Sequence, residues 1–241
     1  MCIRDRPYAF VMREGSVAPH ALETELRFAA NDRQAPRLAD WPAVPPSRQE
    51  ALRALQESAR SRDAVIATTG YMGRALYAEG DRENQLYLVG SMGCASSLAL
   101  GLALAQPDRR VIVVDGDGAA LMRLGAFATI GALRPANLLH VMLDNERHAS
   151  TGGQATVSSA TDLAQVAHAC GYPAVHRAPH VATLARLVSE STEELTFVHV
   201  KLRPDEAAEL PRPKEPPAQV AQRFRSWLAQ TSTLIAAGTM S

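Results

Sequence analysis

Cysteine is scarce in this chain, and Cys2, Cys94 and Cys170 are odd in number with no Cys-x-x-Cys spacing. That excludes a disulfide framework and a structural zinc site, and it fits reduced thiols in the cytoplasm. Charge of either sign is not in excess: Lys plus Arg and Asp plus Glu each total 25. No overall field therefore recommends a nucleic acid or an acidic membrane, and a small molecule or another protein chain is the expected partner. No apolar run is long enough to span a membrane, and the first residues, Met1 to Arg6, lack the apolar core of a signal peptide. They read as a foreign start on a chain entered midway.

What is present is apolar content, 46% of the residues, enough for one good core. Tyr8 to Arg13 reads as a strand, and the stretch from Glu14 through Pro46 has no steady periodicity, so residues 1–46 are expected to be the remnant of a preceding domain and a linker. A helix is expected from Ser47, an N-cap three residues before Glu50, to about Ser61. Short apolar runs then alternate with helical patterns: Ala64 to Thr68, Leu86 to Val89, Val111 to Asp115, Leu138 to Asp144, Ala174 to His176 and Leu195 to Leu202. This alternation predicts an α/β domain over residues 47–203, a doubly wound, mainly parallel sheet with helices on both faces. Pro204, Pro211, Pro213, Pro216 and Pro217 predict an extended arm over 204–241 that ends in a short helix around Gln219 to Ala229.

Ligands of such sheets bind beyond the carboxyl ends of the strands, so the residues directly after each run carry the chemistry. After Val114 comes Asp115-Gly116-Asp117-Gly118 and then a helical pattern. Glycines let the backbone approach a ligand closely, and free N–H groups favour a phosphate. Asp117 would repel that phosphate unless a cation lay between them, which points to Mg²⁺. Gly-Asp-Gly alone is as often a plain turn. The balance shifts because Asn145 ends the next strand almost thirty residues later, and carboxylate, amide oxygen and backbone carbonyl are hard donors suited to Mg²⁺. Upstream, Val89 leads into Gly90-Ser91-Met92-Gly93 and a small-residue helix, Cys94 to Ala105. A lone methionine such as Met92 is usually core.

Taken together, these three strand endings resemble the thiamine-diphosphate-dependent enzymes. Thr68-Thr69-Gly70 with Arg74, Gly90 to Gly93, and Asp144-Asn145 continuing to His148 and Ser150 to Gln154 look most like the phosphonopyruvate decarboxylase branch, with the sulfopyruvate decarboxylases next. The resemblance covers about Ala64 to Leu202 and implies the diphosphate-type domain of the thiamine diphosphate-binding fold. It implies Asp117 and Asn145 as Mg²⁺ ligands through their side chains and Arg147 through its carbonyl. Gly116, Gly118 and Ala119 would meet the diphosphate, and Thr69, Gly70 and Ser91 would lie against the cofactor. Gly90 would accept the 4′-amino hydrogen, and Met92 would hold the cofactor bent. Ala119 stands where the family often has serine, so one hydroxyl contact is missing.

The resemblance further implies decarboxylation of a 2-oxo acid, 3-phosphonopyruvate foremost, by a chain without its pyrimidine-binding domain. No glutamate here matches the one that activates the cofactor in this family, so that domain is expected from a missing N-terminal region or a second chain, within a homo-oligomer. His148 is a candidate for binding the substrate's anion or moving a proton, with Arg147 and Arg74 beside it; a solvated loop histidine fits it nearly as well. Gln154, after Gly152 and Gly153, belongs to a closing loop or an ordinary flexible one. His140, between Leu139 and Val141, is expected to be a buried, hydrogen-bonded core residue. The alternative functions are a sulfopyruvate decarboxylase beta subunit, and a non-catalytic module that binds thiamine diphosphate or only dimerises.

Overall fold

The apolar runs become strands because their branched side chains fit a pleated surface that helices cover on both sides. A computed structural model of the chain describes residues 36–190, 193–204 and 210–238. The expected strand from Tyr8 to Arg13 lies outside them. Six parallel strands form one sheet: β1 (Ala64–Ala67), β2 (Gln85–Tyr87), β3 (Val111–Gly116), β4 (Leu138–Asp144), β7 (Ala174–Arg177) and β8 (Thr196–Lys201), in the order β2-β1-β3-β4-β8-β7. Every residue of β3 and β4 is buried, in keeping with their almost continuously apolar runs. The two-residue strands β5 (Arg147–His148) and β6 (Gln154–Ala155) form a separate antiparallel hairpin that sequence periodicity did not announce.

Helices α1 (Arg48–Ser58), α2 (Tyr71–Ala78) and α7 (Val181–Ser189) close one face of the sheet around Leu52, Leu55, Val114, Val141 and Val198. The opposite face carries α3 (Ala95–Ala105), α4 (Asp117–Met122), α5 (Gly125–Leu133) and α6 (Leu163–Ala169) around Ile66, Val113, Phe127 and Phe197. The capping box of α1 forms: the Glu50 N–H donates to Ser47 Oγ at 3.1 Å, and the Ser47 N–H donates to Glu50 Oε2 at 2.7 Å. This helix stops at Ser58, short of the expected Ser61, because the Arg60 N–H turns to donate to the buried Asp63 carboxylate, which also pairs with Arg110.

The single helix expected after Gly118 is broken into α4 and α5. The break falls at Arg123, beside which Gly93 packs so tightly that a Cβ there would meet Ala119 O at 2.8 Å. At the other end of the chain, α8 spans Pro217–Gly238 rather than a short stretch near Gln219 to Ala229. It starts on a proline, whose missing N–H costs nothing in a first turn. Val220 of α8 joins the core under one face of the sheet and Phe224 and Trp227 the core under the other, so α8 crosses the sheet at its β2 edge. Among the described residues no helix is long and apolar enough to cross a membrane.

A cleft at the carboxyl ends of the strands

The strand order reverses between β1 and β3: the chain leaves β1 outward to β2 and returns to β3 on the other side. A crevice at the carboxyl ends is the consequence. Thr68 and Thr69 enter it after β1, Gly116 to Ala119 after β3, Asn145 after β4, and Arg147 and His148 from the hairpin. Met92 reaches in from the loop before α3, and Arg48, the first residue of α1, closes the side while lying 5.6 Å over the Tyr71 ring.

The Asn145 carboxamide, the Asp117 carboxylate and the Arg147 carbonyl come together here. The Asn145 carboxamide turns its Oδ1 toward Arg147 O at 3.0 Å and Asp117 Oδ1 at 3.3 Å; with the amide turned over, its nitrogen donates to both. Oxygens this close repel unless a proton or a cation lies among them. Ligands at 2.0–2.1 Å around an octahedral Mg²⁺ set neighbouring oxygens ~3 Å apart, close to the two separations from Asn145. The backbone between them is bent to serve this arrangement. Glu146 takes φ 59°, a left-handed conformation that costs a residue with a side chain on the order of 1–2 kcal/mol. It is held there by its N–H to Asp144 Oδ1 at 3.0 Å and by Lys201 Nζ on its carboxylate at 2.6 Å.

Behind these oxygens lies a network without a sequence motif. Thr156 Oγ1 donates to Asp117 Oδ2 at 2.5 Å, so that oxygen is engaged and Oδ1 is left facing the cleft. Ser158 Oγ stands 2.8 Å from Asp144 Oδ1 and 3.3 Å from Asp117 Oδ2, and its one proton goes to the nearer. The other Asp144 oxygen meets His199 Nε2 at 2.9 Å and Lys201 Nζ at 2.8 Å. Burial works to raise the Asp144 pKa, but the bonds from His199 and Lys201 prevail and hold it at about 2. Burial pushes the Asp117 carboxyl above its ordinary range, against the Thr156 hydrogen bond, and Asp144 adds to the rise. Such a carboxylate accommodates a divalent cation at little further desolvation cost.

His148 packs directly on Gly118: a Cβ at that position would stand 2.6 Å from His148 Nδ1 and 3.3 Å from Met92 Cε. Only glycine allows this approach. The space between these residues is about 50 Å³, and His148 borders it. Gly70 (φ 89°) lines an adjoining cavity instead, where an added Cβ would stand 3.0 Å from Ser150 Oγ. Gly90 and Ser91 sit on the exposed loop after β2, outside the cleft wall, with the Gly90 N–H donating to Thr69 Oγ1 at 3.2 Å. His140 is fully buried, with Nδ1 3.1 Å from the Tyr172 hydroxyl, among Phe127 and Phe197. Residues missed by sequence reasoning are Arg48, Thr156, Ser158, His199 and Lys201. Thr156 is the most legible of them in retrospect, since it lies just beyond the Gly-Gly-Gln run.

Residues 68–200 match the family model described as thiamine pyrophosphate enzyme, C-terminal TPP binding domain. A phosphonopyruvate decarboxylase from Streptomyces viridochromogenes is 44% identical over 98% of this chain and 61% of its own length. The chain thus spans about three-fifths of that relative. A sulfopyruvate decarboxylase subunit beta from Methanothermobacter thermautotrophicus is 41% identical over 60% of this chain and 76% of its own length. Benzoylformate decarboxylase from Polynucleobacter necessarius shares the fold, with a TM-score of 0.55 at 16% identity over 68% of this chain and 34% of that one. With its switch-point cleft and its match over 68–200, the chain belongs to the thiamine pyrophosphate enzyme family and carries the family's C-terminal TPP-binding domain.

Proposed function

We propose that this chain is the part of a thiamine-diphosphate- and Mg²⁺-dependent decarboxylase that holds the cofactor's diphosphate, acting on 3-phosphonopyruvate to give phosphonoacetaldehyde and CO₂. The observation that carries the reading is the approach of the Asn145 amide, at the end of β4, to both Asp117 Oδ1 and Arg147 O. Asp117, Asn145 and Arg147 would hold the metal. The N–H groups of Gly118 and Ala119 would meet the diphosphate, and Met92, beside Gly118, would support the bend. Thiamine diphosphate, when bound, supplies the electron sink for loss of CO₂ from a 2-oxo acid. Thr156 fixes which Asp117 oxygen faces the cleft, and His148 on its hairpin covers the site and excludes water.

Similarity over 98% of this chain favours the phosphonopyruvate decarboxylases. The 76% coverage of the sulfopyruvate decarboxylase beta subunit supports a second reading, in which this part works beside a separate polypeptide. Either reading needs a pyrimidine-binding partner with its glutamate. Exposed apolar side chains on α3, α4 and α5, namely Leu98, Leu104, Met122 and Leu133, offer a surface for it or for a second copy of the chain. Asp117→Ala is expected to abolish Mg²⁺-dependent binding of thiamine diphosphate in a calorimetric titration. An unchanged affinity would sink the proposal.

A further inference from the structure

The loop after β4 turns on one residue. Glu146 stands between Asn145 and Arg147, and its φ of 59° sets the course of the backbone from one to the other. Three tethers hold it. Its N–H donates to Asp144 Oδ1 at 3.0 Å, its carbonyl accepts from the Thr156 N–H at 2.9 Å, and its carboxylate meets Lys201 Nζ at 2.6 Å. Thr156 in turn donates its hydroxyl to Asp117 Oδ2, so the residue that engages the Asp117 carboxylate is itself hung on Glu146.

Lys201 is the tether that comes from outside the loop. The parallel register of β4 and β8 puts it opposite Asp144, at the carboxyl end of β8. Its ammonium donates to Asp144 Oδ2 at 2.8 Å, to Glu146 Oε1 at 2.6 Å and to Ser158 O at 3.5 Å, an acceptor for each of its protons. A left-handed backbone is disfavoured for a residue with a Cβ, and glutamate lacks the short polar side chain that offsets the cost in asparagine or aspartate. The ion pair with Lys201 offsets it instead. Charge alone argues the other way: a cation held by the two residues that flank Asn145 repels Mg²⁺. The two effects of Lys201 have opposite signs, which makes them separable.

We infer that Lys201 is a positioning residue for the metal: it holds Glu146 in the left-handed conformation that brings the Arg147 carbonyl and the Asn145 amide together beside Asp117. The inference rests on the reading of Asp117, Asn145 and Arg147 as Mg²⁺ ligands. The Lys201 ammonium is engaged by Asp144, Glu146 and Ser158, so it acts through the backbone it restrains and not as a contact of metal or cofactor. Groups that only orient ligands have large effects on metal affinity.

The test is a calorimetric titration of Mg²⁺ into the chain in the presence of thiamine diphosphate. Glu146→Ala and Glu146→Gly remove the same charge and the same ion pair, but only alanine keeps a Cβ. The glycine variant is expected to bind Mg²⁺ about fivefold more tightly than the alanine variant. Lys201→Met should weaken Mg²⁺ binding about fivefold to tenfold by itself, and by less than about twofold when added to Glu146→Gly, the mark of two residues that act through one conformation. Equal affinities of the two Glu146 variants, a Lys201→Met loss that persists in full beside Glu146→Gly, or tighter Mg²⁺ binding in Lys201→Met would each overturn the inference. The Glu146 pair leaves Lys201 in place, so it decides the matter even if Lys201→Met fails to fold. Asp117→Ala in the same titration keeps the two readings apart. If it abolishes binding while the Lys201 and Glu146 variants behave alike, this inference alone fails; if it leaves the affinity unchanged, the metal reading fails and takes this inference with it.

Discussion

Of the buried carboxylates at the carboxyl end of the sheet, Asp144 has two basic groups against it, whereas Asp117 is met by the Thr156 hydroxyl and the Gly118 N–H and has no basic group against it among the described residues. The difference assigns their tasks: Asp144 anchors and Asp117 is left to a ligand. Because the Asp144 pKa is about 2 in the fold against about 3.9 in an unfolded chain, the stability it contributes is complete above pH ~4 and is lost as pH falls from ~4 to ~2. The depression corresponds to on the order of 2 kcal/mol. Asp144→Asn should therefore lower urea-measured stability at pH 7 by about that amount and flatten the decline between pH 4 and pH 2. An unchanged acid limb would remove Asp144 from this role. Asp117 and Asn145 were legible in the sequence because each follows an apolar run directly. The partners of Asp144 were not, since His199 and Lys201 lie on β8 and only the sheet register places them beside β4.

Elements were read best where one chemical rule governs them. The strands β3 and β4 are buried on both faces and appear as almost continuous apolar runs, and the Ser47 capping box is a local signal. The division of α4 from α5 was invisible because its cause, Gly93 packed against Ala119 and Arg123, comes from a distant loop. Two glycines within helices show how strongly such packing decides. Gly131 of α5 presses on the carbonyl of Cys170, where a Cβ would stand 1.9 Å from the oxygen. Gly131→Ala should destabilise the chain by about 2 kcal/mol or more, because neither backbone can yield. Gly101 of α3 faces open space, and Gly101→Ala should stabilise by up to ~1 kcal/mol through helix propensity. Urea midpoints of the two variants should move in opposite directions; a shift of the same sign would contradict the packing described.

For the molecule as a whole, the alternation of strands and helices predicted the doubly wound sheet, but not the strand order. That order follows from which crossovers pack, and it alone locates the cleft between β1 and β3. The apolar character of α3 and α5 was equally ambiguous. Each is apolar nearly all round, a pattern that suits a helix buried on one side by its own sheet and on the other by another chain. If that surface docks a partner, Leu104→Lys should shift the chain toward smaller species in sedimentation velocity while its thermal midpoint stays within ~2 °C, in keeping with an exposed site. An unaltered size distribution would turn attention from α3 to the other exposed faces.

The crossing of α8 over β2 has a further bearing, on solubility. An outer strand offers a row of unsatisfied amides and carbonyls to any passing chain, and natural sheets shield such borders. Here α8 does so, pinned by Arg223 on Asp81 while Tyr87 of β2 donates to the same carboxylate. The arm that borders the cavity beside the cleft is thus continuous with the helix that protects the sheet from edge-to-edge aggregation. Change in the arm can reshape that cavity only within the limits set by that guard, so selection on the cavity and selection against self-templated assembly act on one stretch of chain.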